Sequence, residues 1–162
     1  MHAEAYRFVE TTLGRLPPRR AVIELGSLYV NGSVRPLFGA CDYVGLDSQP
    51  GRGVDVVGDA ASWRPEPART FDTVVCTEVL EHTPSAEQIC SNARELLEPN
   101  GVLILTAASI GRAPHSSDGG PLHAGEFYRN VSPILLEKWL RAFSSVVVDT
   151  SVVSDVYALA IK

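Results

Sequence analysis

The sequence predicts an α/β fold on a mostly parallel sheet with helices on both faces. Three observations predict it. Short apolar runs alternate with helix-like segments, which implies parallel strands joined by right-handed crossovers. The stretch AVIELGSLYVNG, residues 21–32, reads as a buried strand, a tight loop and the approach to a helix. The last two apolar runs stand too close together for a crossover helix, so they should pair antiparallel. In open sheets of this kind, ligands sit outside the carboxyl ends of the strands.

The chain of 162 residues is long enough for one domain with a real core and too short for two, so 1–162 is expected to form a single domain. The net charge of −5, without any basic run, argues against an extended nucleic-acid surface. No apolar run approaches the roughly 20 residues of a membrane span, and no signal peptide is evident. Cys41, Cys76 and Cys90 are odd in number and scattered, which suggests reduced thiols and a cytoplasmic protein.

In chain order, Ala5, Phe8, Val9, Thr12, Leu13 and Leu16 recur at helical spacing, predicting an amphipathic helix over 4–16. It either packs on the sheet or covers the mouth of a site. Pro17-Pro18 ends it. Ala21-Val22-Ile23 opens the first strand, with Glu24 at its carboxyl end and Gly26 where the chain must turn or a ligand must approach bare backbone. Ser33 is placed to cap a short helix over 34–38, with Pro36 in its first turn and Gly39 past its end.

A second strand, 42–47, ends in Asp47; a third, 54–57, is followed by Gly58-Asp59-Ala60. Residues 71–76 form a fourth, apolar enough to be central, and run into Thr77-Glu78-Val79-Leu80-Glu81-His82. Ser85-Ala86-Glu87-Gln88 has capping-box form, predicting a helix to about 98 that Pro99-Asn100-Gly101 breaks. A fifth strand spans 102–106. The pattern then vanishes over 107–131, a long loop of the length that is usually functional or disordered. It carries His115, Asp118, His123, Glu126, Tyr128 and Arg129. Ser132-Pro133 should cap a last helix, and residues 146–148 and 157–161 should form the closing strands.

With these residues in view, the chain resembles a class I S-adenosylmethionine-dependent methyltransferase. The segments VIELGSLYVNGS, YVGLDSQPG, VVGDA and FDTVVCTEVLEHTPSAEQICSNARELLEPNGVLILTA carry the resemblance, the last most specifically through "EVLEH" and "L-x-P-x-G". It implies a Rossmann-like seven-stranded sheet of order 3-2-1-4-5-7-6 with strand seven antiparallel, and S-adenosyl-L-methionine as cofactor. Glu24, Gly26 and Ser27 would line the amino-acid end of that cofactor, and Asp47, with Ser48 beside it, would bind the ribose. Gly58, Asp59 and Ala60 would meet the adenine; Thr77 and Glu78 would face the methionine side, with Leu80 and His82 beside them. The loop departs from the family pattern at Leu28, Tyr29, Val30 and Asn31, where more glycine is usual.

Physical chemistry separates this reading from a dinucleotide-binding oxidoreductase. A pyrophosphate needs closely spaced glycines at a helix N-terminus, and G-x-G-x-x-G is absent. A sulfonium suits a site rich in acids: Glu24, Asp47, Asp59 and Glu78. The implied reaction is in-line methyl transfer, with His82, His115 and His123 as candidate bases. His123, Tyr128 and Arg129 are candidate acceptor contacts; equally, Tyr128 and Arg129 could anchor the loop. No Asp/Asn/Ser-Pro-Pro-aromatic motif follows the fourth strand, no Pro-Cys pair exists, and no cluster suggests a metal-dependent catechol site, so no metal is expected. What remains is transfer to an oxygen or nitrogen of a small molecule or a sugar or lipid head group, by a monomer or homodimer. A non-catalytic cofactor-binding or regulatory module stays open as the alternative.

Overall fold

A computed structural model describes residues 2–162. Its elements are α1 (Ala3–Leu13), β1 (Ala21–Leu25), β2 (Asp42–Asp47), β3 (Val56–Val57), β4 (Phe71–Thr77), α2 (Ala86–Leu96), β5 (Leu97–Ala108), α3 (Pro133–Leu140), β6 (Ser145–Asp149) and β7 (Asp155–Ile161), with 3-10 turns at Arg35–Phe38 and Leu80–His82. The seven strands form one sheet in the order β3-β2-β1-β4-β5-β7-β6. β7 runs antiparallel to both its neighbours, and the other pairings are parallel. This is the expected order and polarity.

Strand alternation divides the core. Ile23, Leu25, Val74, Cys76, Leu103 and Leu105 pack with α2 and α3, whereas Val22, Val75, Val102 and Ile104 pack with Val9 of α1. β4 is buried at every residue, as expected of a central strand. Glu24 shares its parity with Val22. α1 packs on β5 and β7, with the Phe8 ring 4.9 Å from that of Tyr157. The cysteines are free thiols. Among the described residues, no helix is long and apolar enough to cross a membrane.

Several boundaries differ from expectation. α1 stops at Leu13, past which the bonding tightens: Arg15 N donates to Thr12 O and Leu16 N to Leu13 O, single turns that carry the chain to Leu16. β3 is shorter because Val54 N closes a turn on Gly51 O, and the Gly45 amide is taken at 2.7 Å by the Asp55 carboxylate and not by a backbone carbonyl. Ser85 makes no capping bond with its side chain, so the predicted capping box does not form; its own amide donates to Thr83 Oγ1. Ser33 Oγ accepts from the Arg35 amide, but the boundary residue of that turn is Val34. Pro99-Asn100-Gly101 does not break the chain between elements. It lies within β5 opposite a register shift in β4, with Asn100 at φ 63°. At α3 the Ser132 hydroxyl accepts from Leu135 N, the expected cap.

Between β5 and α3 the long loop is tied down at both ends. Ser109 N donates to Ser154 O, Arg112 pairs with Asp155, Arg129 N donates to Glu81 O, and Val131 N donates to Ala108 O.

Candidate functional site

A cleft of about 500 Å³ opens at the carboxyl ends of β1, β2 and β4. Glu24, Gly26, Asp47, Ser48, Asp59 and Ala60 line it, as do Thr77, Glu78, His82 and His115. The four acids singled out from sequence therefore share one cavity.

The loop after β1 is fixed by backbone geometry. The amides of Gly26 and Ser27 both donate to Leu46 O. Gly26 has φ 84°, and a Cβ there would collide with the Val79 side chain. Glycine is thus required for both conformation and space. Leu28, Val30 and Asn31 form part of the cleft wall.

Asp47 joins two loops: Oδ2 accepts the Leu28 amide and Oδ1 the Gln49 amide, each at 3.0 Å. Asp59 is engaged by its own turn, accepting from Ala61 N at 2.9 Å and Ser62 Oγ at 3.0 Å. Glu24 is buried and accepts the Tyr43 hydroxyl at 2.8 Å. Burial pushes its carboxyl up to about 7, while the Tyr43 bond and the Arg35 charge pull the other way. Arg35 bonds Asp55 at 2.8 Å and lies over the Tyr43 ring. Glu78 holds φ 56°, unusual for a residue with a side chain. Its Oε1 accepts the Thr106 hydroxyl at 2.9 Å, and His2 Nε2 is 3.9 Å from Oε2. Burial raises the Glu78 carboxyl.

At the other end, the rings of His82, His115 and Tyr128 meet edge-on, with centroids 5.0–5.5 Å apart. Burial, with His115 alongside, lowers His82 to about 4, so its imidazole is neutral at physiological pH. Behind it lies Glu81, which the sequence reading gave no role. Glu81 is fully buried; Oε1 accepts the Ala108 amide at 3.0 Å and Oε2 has no partner. Burial, with Glu78 adding to it, pushes this carboxyl up to about 8. No metal is expected from the sequence, yet ligand atoms of Glu81, His82 and His115 lie within 4.8 Å of one another. The available signal was the pairing of Glu81 with His82 directly after the apolar Val79-Leu80.

Six residues singled out from sequence stand outside the cleft lining, Leu80 among them, buried in the core. Ser27 is buried with its hydroxyl unpartnered, beside Gly45. Gly58 is wedged between Leu46 and Trp63, its amide on Asp47 O. His123 is exposed and lies 3.0 Å from Asp118, whose hydrogen bond raises its pKa. Tyr128 backs the two histidines. The Arg129 guanidinium lies 5.9 Å from the Phe127 ring and 5.7 Å from that of Trp139, so α3 draws it away from the cleft. Arg112, Ser116 and Ser117, lining residues that sequence reasoning passed over, come from the long loop.

The family described as "Methyltransferase domain" matches residues 1–145. Over 39 residues, 24% of this chain, the sequence is 46% identical to the ubiquinone biosynthesis O-methyltransferase of Histophilus somni (strain 2336); that stretch spans 16% of the latter protein. The solved DhpI–SAH complex shares the fold at a TM-score of 0.70 and 23% identity, covering 97% of this chain and 83% of that one. The Burkholderia thailandensis 1,6-didemethyltoxoflavin-N1-methyltransferase, solved with 1,6-didemethyltoxoflavin and S-adenosylhomocysteine, shares it at 0.67 and 17% identity, covering 99% and 77%.

Proposed function

The chain belongs to the methyltransferase domain family, and we propose that it moves a methyl group from S-adenosyl-L-methionine to an oxygen, or a nitrogen, of a small molecule or a sugar or lipid head group. The observation that carries this reading is the convergence of Glu24, Asp47, Asp59 and Glu78 on one cleft. Its volume of about 500 Å³ suits a ligand the size of an adenosyl amino acid, since small-molecule sites run roughly 300–1,000 Å³.

S-adenosyl-L-methionine supplies a methyl group on a positively charged sulfur. The chain's own residues then divide the work. Asp47, clamped by two backbone amides, offers its remaining lone pairs to the ribose hydroxyls. Asp59 and Ala60, on the cleft wall, would meet the adenine. Glu24 and Glu78 supply negative charge at the amino-acid end. In the transfer that this cofactor would supply, an acceptor lone pair would bond the methyl carbon as the carbon–sulfur bond broke, leaving the sulfur neutral and the acceptor with a proton to lose. Holding the partners in line can lower the barrier by roughly 7–11 kcal/mol. His82, at about 4, is a weak base. His115 Nε2 and Glu81 are the other lone-pair atoms at that end.

The experiment is calorimetric titration with S-adenosylhomocysteine, followed by turnover against a panel of hydroxyl and amine acceptors with product homocysteine thioether as the readout. Saturable binding with turnover is expected. Binding without turnover on any acceptor returns the non-catalytic module, and absence of binding overturns the reading.

A further inference from the structure

A buried carboxyl oxygen without a partner is costly to desolvate, and Glu81 Oε2 is such an atom. It is also aimed: the Ala108 amide holds the other oxygen at 3.0 Å, which fixes the direction of the carboxyl. His115 is oriented in the same manner. Its Nδ1 lies 3.0 Å from the Ala113 carbonyl oxygen. That oxygen can only accept, so Nδ1 carries the proton and Nε2 presents a lone pair. Metal ligands are characteristically tied through their far atom to backbone or carboxylate in this way. The Tyr128 ring backs both imidazoles, and its hydroxyl is a second buried polar atom without a partner.

From this geometry we propose that Glu81, His82 and His115 form a binding site for a divalent first-row transition-metal ion, open on its cleft side to an oxygen of the acceptor. Two imidazoles and one carboxylate suit zinc, manganese, iron or cobalt better than magnesium or calcium, which prefer all-oxygen sites. Around an ion at about 2.1 Å, ligand atoms stand roughly 3–4.2 Å apart. Closing the group from its present 4.8 Å spread therefore takes side-chain rotation and no backbone rearrangement. Three protein ligands leave positions free, and His82 and His115 line the cleft, so those positions face the acceptor.

Ion binding stands on these three residues alone; what fills the open position rests on the methyl-transfer reading. There the ion orients a hydroxyl and makes it a stronger acid, its proton passing to solvent. That favours oxygen acceptors over amines.

The test uses the untagged full chain, stripped with a chelator and titrated with Co2+ by calorimetry and visible absorption. One ion per chain is expected. Glu81→Gln and His115→Ala should each weaken it at least about tenfold. Glu81→Gln keeps an acceptor for the Ala108 amide, and its thermal unfolding should confirm that the fold is retained. Lack of saturable Co2+ binding, or equal binding by both variants and the parent, overturns the proposal. A chain that binds S-adenosylhomocysteine but not Co2+ loses this site and keeps the methyl-transfer reading. Variant-sensitive Co2+ binding without S-adenosylhomocysteine binding has the opposite meaning.

Discussion

Glu24 makes the pH dependence of the protein testable in two opposite directions. Its carboxyl sits at about 7 in the folded chain against the ordinary 4.5, chiefly through burial. A raised folded pKa means the folded state holds a proton that the unfolded state has lost. The associated stability is complete below about pH 4.5 and is lost as the pH rises to about 7, a difference of about 3 kcal/mol. Cofactor binding has the other sign, because a ligand ammonium needs the ionised carboxylate. The ionised fraction climbs from about 3% near pH 5.5 to about one half near pH 7, so affinity should rise about 16-fold, or about 1.6 kcal/mol. The groups facing Glu24 are Tyr43, Arg35, Asp47 and Asp55. Tyr43 is pushed up by burial and by Glu24 itself, and remains protonated. The assay is S-adenosylhomocysteine titration across this window, in buffers of differing ionisation enthalpy to count released protons. Glu24→Gln should flatten the slope and abolish proton release. Affinity that does not change with pH in the parent, or the same slope in Glu24→Gln, refutes the reasoning.

Other outcomes follow from the same geometry. Asp47→Ala should weaken S-adenosylhomocysteine binding more than tenfold, about 1.4 kcal/mol or more, with far-UV circular dichroism unchanged; undiminished affinity removes Asp47 from the site. Gly26→Ala should destabilise by about 1–3 kcal/mol from its positive φ alone, plus the collision with Val79. Adding Val79→Ala should return the collision part only, as read by urea denaturation. Asp72 is buried and accepts the amides of Arg20 and Ala21 at 2.7 and 3.3 Å beside the Arg19 guanidinium. Asp72→Ala should cost about 3–5 kcal/mol and lower Tm by roughly 10 °C; a shift within 2 °C, checked by calorimetry, would show that the pair is not structural.

The sheet was legible because its strands are read locally. Residues 21–23, 74–76 and 102–105 announce themselves by short continuous apolar runs, and the closing hairpin by the shortness of its link. The acids at the strand ends were legible too, because chain direction in a parallel sheet puts them on one edge. What was hidden depends on partners distant in sequence. Pro99-Asn100-Gly101 reads as a break until the register shift of β4 gives it an edge to follow. Ser85 has the composition of a cap, yet Thr83 occupies its amide. Glu81 gains its meaning from the Ala108 amide and from His115, neither adjacent to it in sequence. Arg129 looks like a site residue in a loop, and only the placement of Trp139 on α3 turns it away.

Val79 seated against Gly26 has a mechanical corollary. The residue on one side of that wedge is Glu78, and beyond it on the same turn come Glu81 and His82. A shift in the bend after β1 would press on Val79, which leads into the turn that carries Glu81 and His82. Were occupancy of one half of the cleft to move this contact, the affinity of the other half would change, and by linkage the factor would be the same in both directions.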